Sequence, residues 1–180
     1  MARLLLVLFF SVISLFGENF TVTTTAELRQ ALKVASENNQ SDTIILQSGL
    51  YSVIDDGVGL LEYNVSNDDN LTLIGADNNV TLSGEKLSQI LKIDTQGTVI
   101  LAKLNFINGK VEDTGGGAVY IKGNLIIQDC NFTNNSASGN WNGDGGAVYG
   151  GDDSNITIAN STFTNNSASG YEARGGAVSG

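Results

Sequence analysis

Histidine and proline are absent from this sequence of 180 residues, and cysteine occurs once. Without histidine, the chain lacks the usual general base of enzymes and the most common metal ligand. Its single cysteine, Cys130, excludes a disulfide within the chain. Proline would remove a hydrogen-bond donor from any strand that it entered, so its absence suits a chain made of stacked strands.

Positive charge is also scarce, because 9 Lys and Arg residues stand against 19 Asp and Glu residues and the formal net charge is −10. A surface of this sign repels the phosphates of nucleic acids and anionic lipids, so we expect no nucleic-acid partner. With 41% hydrophobic and only 16% charged residues, the composition is that of a globular chain and not of a disordered one. The length is typical of a single domain.

One long hydrophobic run lies at the N-terminus, where Arg3 is followed by LLLVLFFSVISLF, then Gly17 and polar residues. A basic start, a short apolar stretch and a small residue at its end predict a secretory signal peptide over residues 1–17. The alternative is a membrane anchor that is retained uncleaved. Under both interpretations the chain is exported, to the outer membrane, the cell surface or the medium.

The sequence does contain a repeat. GGAV occurs at residues 116–119, 145–148 and 175–178, and FTNNSASG occurs at residues 132–139 and 163–170. The intervals between these copies are 29, 30 and 31 residues. A nearly fixed period in this range is typical of proteins in which one small structural unit is stacked on copies of itself.

The apolar segments of each repeat are short. Residues 117–120, 125–127, 130–132 and 156–158 are bounded by glycine, asparagine, aspartate or serine, as strands are. Three such strands per period, without a helix between them, predict a parallel β-helix over residues 43–180. Because parallel crossovers are right-handed, we expect a right-handed solenoid. The four strands of a propeller blade and the pattern of a leucine-rich repeat are both missing.

Alignment of successive turns predicts which side chains face the core. One column contains Phe106, Phe132 and Phe163. A second, two positions earlier, contains Leu104, Cys130 and Ser161, and the residues between the two columns are Asn105, Asn131 and Thr162. Because strand side chains alternate between faces, we expect the first two columns inside and the third outside. Cys130 is then a small buried hydrophobe.

Polar residues between the strands predict the corners. Asn135 and Asn166 follow their phenylalanines by three residues. Asparagine tolerates left-handed backbone there, and its side chain can bond the same residue of the next turn, which would form a ladder. The glycine pairs allow positive φ at the next corner. The small residues that would stack beside them are Ala118, Ala147 and Ala177.

Residues 18–42 contain the only helical pattern, which we interpret as an N-terminal cap. Thr24 and Glu27 form a capping box. The apolar residues at helical spacing are Leu28, Ala31, Leu32 and Ala35. An amphipathic helix here would cover the first turn, whose core and strand edge would otherwise be exposed. No such segment follows the last repeat, so we expect an open C-terminal end and a chain that is a fragment.

The alternation of GGA[ILV] with FxxN resembles the repeat of the chlamydial polymorphic membrane proteins, and it is similar to adhesin-like β-helix proteins of other microbes. FxxN stands at residues 132–135 and 163–166, whereas residues 106–109 have Gly109 in place of the asparagine. The resemblance covers residues 104–180. It implies a surface-exposed autotransporter passenger, often an adhesin, with outer-membrane anchoring through a missing C-terminal region.

Paired carboxylates are the first candidates for chemistry, because glycosidases of this fold class use them as acid and base. The pairs are Asp55-Asp56, Asp68-Asp69 and Asp152-Asp153. Adjacent strand residues point to opposite faces, and the last pair falls where the repeat tolerates an insertion. We therefore interpret all three pairs as solvated loops and expect no catalytic residue in this segment.

Two further patterns concern ligands. Residues 140–145, NWNGDG, loosely follow the start of a calcium loop, but its first position is Asn140 and its twelfth is Gly151 instead of glutamate. We expect no metal and no cofactor. N-x-S/T sequons include those that begin at Asn19, Asn64, Asn70, Asn79, Asn131, Asn134, Asn155, Asn160 and Asn165. They arise readily in turns rich in Asn, Ser and Thr, and glycosylation depends on the host.

Three function hypotheses follow. The first is an exported, surface-displayed passenger with a structural or adhesive role, whose partners are surface proteins or glycans of host or neighbouring cells. The second is the N-terminal part of a β-helix polysaccharide lyase or glycosidase whose active site lies beyond residue 180. The third is a self-associating matrix or filament component. We favour the first, and therefore expect no enzymatic activity.

Overall fold

The computed structural model describes residues 17–140 and 143–180. In these residues the chain forms a β-solenoid of about five turns with one short helix. Its strand pairings are all parallel. The expectation of a parallel β-helix is confirmed, and its right-handed sense stays a prediction. The predicted signal segment lies outside the described residues, apart from Gly17.

The strands are short except for two. Each of these two is long because it pairs along its length with two successive short strands of a neighbouring turn. In chain order the elements are β1 Asn19–Val22, α1 Thr25–Glu37, β2 Asp42–Leu46, β3 Gly49–Ser52, β4 Leu61–Asn64, β5 Leu71–Gly75, β6 Val80–Ser83, β7 Leu91–Ala102, β8 Asn105–Ile107, β9 Lys110–Glu112, β10 Val119–Gln128, β11 Asn131–Thr133, β12 Ser136–Ser138, β13 Val148–Gly150, β14 Asn155–Ala159, β15 Thr162–Thr164, β16 Ser167–Ser169 and β17 Val178–Ser179.

The strands form three parallel sheets that run along the solenoid. Sheet 1 has the order β1-β2-β5-β7-β10-β13-β17, with β4 also paired to β7 and β14 also paired to β10. Sheet 2 has the order β15-β11-β8-β6-β3, and sheet 3 the order β16-β12-β9. A turn such as β10, β11 and β12 visits the three sheets in succession, and β13 then returns to sheet 1.

The three strands of a turn differ in one respect from those predicted. Residues 117–120 and 125–127 belong to the same sheet, and β10 joins them through an irregularity at Gly123. Gly123 has φ 123°, and a Cβ there would lie 2.2 Å from the Thr95 carbonyl oxygen. The third strand is β12, Ser-Ala-Ser, which sequence reasoning missed because it contains no large apolar residue.

Helix α1 begins as the capping box predicts. The Thr24 hydroxyl accepts a hydrogen bond from the Glu27 N–H at 3.2 Å. The Glu27 carboxylate accepts from the N–H and the hydroxyl of Thr23 at 2.8 and 2.9 Å, and these bonds lower its pKa. The predicted apolar face is buried, namely Leu28, Ala31, Leu32 and Ala35. Strand β1, which precedes the helix, pairs with β2 and adds one strand at that end of sheet 1.

Arg29 attaches this helix to the first turn. Its guanidinium forms an ion pair with Asp56, Nε to Oδ2 at 2.7 Å. It also donates to three backbone carbonyls, those of Val53, Gly59 and Leu60, at 3.3, 2.8 and 2.8 Å. The hydrogen bond from Arg29 lowers the pKa of the Asp56 carboxyl. The Asp55-Asp56 segment is therefore part of the attachment of the cap.

The phenylalanine column packs as predicted. The ring centroids of Phe106 and Phe132 lie 4.8 Å apart, as do those of Phe132 and Phe163, and the rings are parallel within 5°. Phe106 and Phe132 are fully buried, and Phe163 is half-buried. In the column beside them, Leu104 and Cys130 are buried as well. The inside and outside of sheet 2 are therefore confirmed.

The predicted asparagine ladder is present at the corner between sheets 2 and 3. The Asn135 side-chain amide donates to the Phe106 carbonyl and to Asn166 Oδ1, both at 3.0 Å. Its Oδ1 accepts from the Gly109 N–H at 2.8 Å. Asn166 repeats the pattern one turn on, donating to the Phe132 carbonyl at 2.9 Å. Asn135 is fully buried, and these bonds satisfy its side chain.

The left-handed backbone predicted for Asn135 and Asn166 lies one residue earlier, so that prediction is wrong. The residues with positive φ are Asn108, Asn134 and Asn165, at 54°, 57° and 53°. One asparagine therefore turns the backbone, and the next points inwards and binds carbonyls of the neighbouring turn. The left-handed residue at the start of the corner directs the side chain of the following residue into the core. Turning the backbone and binding the neighbouring turn are therefore done by two successive asparagines.

The two glycines of each pair have different roles. The first glycine of each pair has positive φ, as predicted: Gly116 at 74°, Gly145 at 57° and Gly175 at 58°. The second glycine allows neighbouring turns to approach, since a Cβ on Gly117 would lie 2.5 Å from the carbonyl oxygens of Gly146 and Ser136. The alanines that follow, Ala118 and Ala147, are fully buried.

We predict that Phe132→Ala lowers the free energy of unfolding by about 3–5 kcal/mol, because it leaves a cavity between two stacked rings. Urea denaturation followed by circular dichroism measures the change. Thr133→Ala is the matched control on the outer side of the same strand, and a surface substitution of this kind changes stability by about 0.5 kcal/mol or less. Equal losses for the two variants would show that the assignment of inner and outer faces is wrong.

Candidate binding surface

A groove of about 440 Å³ spans three neighbouring strands of sheet 1. Three in-register residues line it, Asn64 from β4, Asp94 from β7 and Lys122 from β10. Their side chains point outwards because the residues before them, among them Tyr63 and Ile93, fill the core. Each turn thus contributes a different polar group to the same groove.

Two loops also line this groove. Val65 and Ser66 belong to the loop after β4, and Asp152 and Asp153 belong to the insertion between β13 and β14. Three carboxylates and one ammonium group give the groove a net negative charge. Such a groove repels acidic polysaccharides and suits neutral, hydroxyl-rich or positively charged groups.

The structure places the three predicted aspartate pairs in loops. Asp56 binds Arg29, and Asp69 accepts a hydrogen bond from the Asn67 side-chain amide at 2.5 Å. Asp152 and Asp153 are exposed, as a solvated loop would be. Their position beside Asp94 could not be seen in the sequence, because β7 lacks the repeated phrases that would set its register against the later turns.

An aromatic and cationic column lies beside the groove on the outer face of sheet 1. Tyr120 and Tyr149 pair in register, and their ring centroids lie 5.8 Å apart at an angle of 50°. Lys92, in register with Tyr120 on β7, places Nζ 5.9 Å from its ring centroid. Burial raises the pKa of the Tyr149 hydroxyl. Sequence reasoning missed this column, although a tyrosine follows GGAV in two of its three copies.

The outer face of sheet 2 has a second polar ladder. The Asn131 side-chain amide donates to Asn105 Oδ1 at 2.8 Å, and the Thr162 hydroxyl donates to Asn131 Oδ1 at 2.5 Å. The Asn105 amide donates to the carbonyls of Asn78 and Val80, both at 2.9 Å. The predicted outward direction of these side chains is confirmed, and the ladder leaves this face polar.

The calcium-like segment lies only partly within the described residues, which leave out Trp141 and Asn142. The Asp144 carboxylate accepts a hydrogen bond from the Arg174 N–H of the next turn at 2.6 Å. Within residues 17–140 and 143–180, no group of three or more Cys, Asp or Glu side chains is placed to bind a metal ion. Asp144 therefore joins neighbouring turns.

Cys130 carries a buried thiol and lies immediately before β11. It is fully buried, and its Sγ lies 3.4 and 3.3 Å from the carbonyl oxygens of Leu101 and Gln128. Burial raises the pKa of this thiol to about 11. The interpretation of Cys130 as a small core residue is confirmed by its burial, and its thiol is held in the unreactive protonated form.

One turn of the solenoid matches a known protein family. Residues 129–151 match the family described as the Chlamydia polymorphic membrane protein repeat. This stretch contains β11, β12, the second GGAV and β13, so the expected resemblance is confirmed for these residues. Comparisons with curated proteins and with solved structures gave no match. No helix in the described part of the chain has the length and apolar character of a membrane span.

We predict that Cys130 resists alkylation by iodoacetamide at neutral pH in the folded chain and reacts fully in urea. A folded pKa raised to about 11 keeps the thiol protonated well above neutrality, and burial blocks access. Because folding raises the pKa of this thiol, the stability of the fold decreases as the pH rises beyond the pKa of the unfolded thiol. Intact mass spectrometry measures the reaction, and rapid labelling of the native chain would contradict this burial.

Proposed function

We propose that this chain is an exported, surface-displayed β-helix passenger that binds partners through its outer faces and performs no catalysis in this segment. The observation that carries the proposal is the polymorphic membrane protein repeat at residues 129–151, folded as one turn of a parallel solenoid. A repeat of this name and a solenoid of this form both fit a passenger at the cell surface.

The difference between inner and outer positions supports binding through the outside. The inner column repeats one residue, Phe106, Phe132 and Phe163. The outer column of sheet 1 changes at almost every turn and contains Glu62, Lys92, Tyr120 and Tyr149. A solenoid can spread a binding surface over several turns, and its specificity then depends on the positions that differ.

The chemistry of sheet 1 favours certain partners. Tyrosine and lysine side chains bind neutral sugars or protein surfaces well, since each offers apolar area together with a polar group. The net charge of −10 disfavours acidic polysaccharides and nucleic acids. We therefore propose surface proteins or neutral glycans of host or neighbouring cells as partners, with outer-membrane anchoring supplied outside this segment.

Two measurements test display and binding. We expect an antibody against the solenoid to label intact, unpermeabilised cells that produce the chain. We expect the purified chain to bind neighbouring cells in flow cytometry, and Tyr120→Ala combined with Tyr149→Ala to weaken this binding by about tenfold or more, as loss of an aromatic hot spot does. Thr164→Ala, an exposed position of sheet 2 that belongs to no sequon, is the matched control. Labelling only after permeabilisation would contradict display, and equal binding by all variants would contradict the role of sheet 1.

A carbohydrate-active enzyme is the second candidate function, and the groove is the observation that favours it. The groove brings Asp94, Lys122, Asp152 and Asp153 together, which places acidic and basic groups within this segment. The passenger proposal expects no turnover of neutral or acidic polysaccharides, with or without calcium, in a reducing-sugar assay. Turnover that disappears with Asp152→Asn and Asp153→Asn would replace the passenger proposal with an enzyme.

A further inference from the structure

The sequons share one placement in the fold. There are ten of them, since Asn39-Gln40-Ser41 is one as well. In all ten, the asparagine is exposed, the central residue is buried or half-buried, and the serine or threonine is exposed or half-buried. Asn79-Val80-Thr81 at the start of β6 shows the reason. Val80 is fully buried, and strand alternation turns Asn79 and Thr81 together to the outer surface. The asparagine and the hydroxyl therefore lie on the same side of the chain, facing solvent.

The asparagines that build the interior are not in sequons. Asn135 is the buried asparagine among the described residues, and its second following residue is Ala137. Asn166, its half-buried counterpart one turn on, is likewise followed by Ala168 at that position. In FTNNSASG, the sequon begins instead at the first asparagine, Asn134 or Asn165, which is exposed. The two kinds of asparagine are thus adjacent in sequence, but one faces solvent and the other points into the solenoid.

The side-chain nitrogen, which would accept a sugar, is free in most of these asparagines. Asn131 Nδ2 donates to Asn105. The Asn79 side chain forms a hydrogen bond with the Asp77 carboxylate. In seven other sequons, those of Asn19, Asn64, Asn70, Asn134, Asn155, Asn160 and Asn165, Nδ2 donates no hydrogen bond within residues 17–140 and 143–180. Asn70 illustrates this arrangement, because its Oδ1 accepts from the Thr98 N–H at 2.8 Å while its nitrogen makes no such bond. Attachment at these seven positions would break no hydrogen bond that holds the fold together.

We propose that the exposed sequon asparagines are N-glycosylation sites. The inference rests on the proposed export, because the donor is a lipid-linked oligosaccharide encountered on the export route. In the reaction, Asn Nδ2 forms a bond to the anomeric carbon of the donor sugar. The bond from that carbon to the lipid phosphate breaks, the phosphate leaves with the electron pair, and the nitrogen loses one proton to a base. The products are a glycosylated amide and a free lipid phosphate.

The repeated corner limits how many sugars fit. Thr133 pairs in register with Thr164, so Asn134 and Asn165 occupy the same corner in consecutive turns. Neighbouring strands lie about 4.8 Å apart, which is less than the width of a sugar with its hydration. We expect one glycan at this pair in most molecules. Asn79 has no such neighbour, because Ser48 and Lys103 occupy its position in the adjacent turns.

The test uses the full chain with its own N-terminal segment, produced in a secretory cell that N-glycosylates. The exported protein is treated with peptide N-glycosidase in heavy-oxygen water, which converts each glycosylated asparagine to a labelled aspartate that peptide mapping locates. We expect labels at exposed sequons, Asn79 among them, and none at Asn135 or Asn166. Thr81→Val keeps Asn79 but removes the sequon hydroxyl, and it should abolish the label there. Thr81→Ser is the matched control and should retain it.

The outcomes separate this inference from the proposed function. An exported chain that has the bare polypeptide mass overturns glycosylation and leaves the passenger proposal intact. A label at Asn79 that survives Thr81→Val, or a label at Asn135, overturns the assignment of sites by sequon and exposure. A chain that stays inside the cell contradicts export, and the glycosylation that rests on it is overturned as well.

Discussion

The stacking of each turn on its neighbour is the constraint on which the rest of the structure depends. Parallel strands lie about 4.8 Å apart, and the phenylalanine rings repeat at 4.8 Å because they follow the strands. A side chain at an inner position must therefore fit against the same position above and below it. Identical residues satisfy this condition most simply, which is why Phe106, Phe132 and Phe163 recur. The repeat in the sequence is a direct consequence of this contact.

The corners add a second condition, since the chain must change direction three times per turn and leave no buried carbonyl without a donor. The structure meets it with neighbouring asparagines. Asn134 takes the left-handed conformation, and Asn135 turns inwards and donates to the Phe106 carbonyl. In the turn before, Gly109 replaces the inner asparagine, and its N–H is bound by the Asn135 side chain. The ladder therefore stays connected where residues 106–109 depart from FxxN, because the bond needs only the backbone N–H.

The repeated phrases predicted much of the solenoid, and the capping box at Thr24 and Glu27 predicted helix α1. GGAV and FTNN predict the period, the inner phenylalanine column and the positive φ of the first glycine in each pair. They do so because stacking requires the same residues at these positions in successive turns. Strand β12 was missed because a strand of Ser-Ala-Ser has no apolar signal, and its place is set by the strands that it stacks on. The groove was missed for another reason. Its members Asn64 and Asp94 lie in turns without these phrases, so their register with Lys122 appears only in the folded chain.

Because stacking fixes the inside, functional differences between turns have to lie outside. The insertion at residues 151–154 shows how freely the outside can change, since it separates β13 from β14 yet leaves both paired to β10. The same loop adds Asp152 and Asp153 to the groove, so a change that costs the core nothing alters the binding surface. Glycans would act on the same surface. The column of Tyr120 and Tyr149 contains no sequon asparagine, so sugars elsewhere on the outer faces and a partner at this column can occupy the solenoid together.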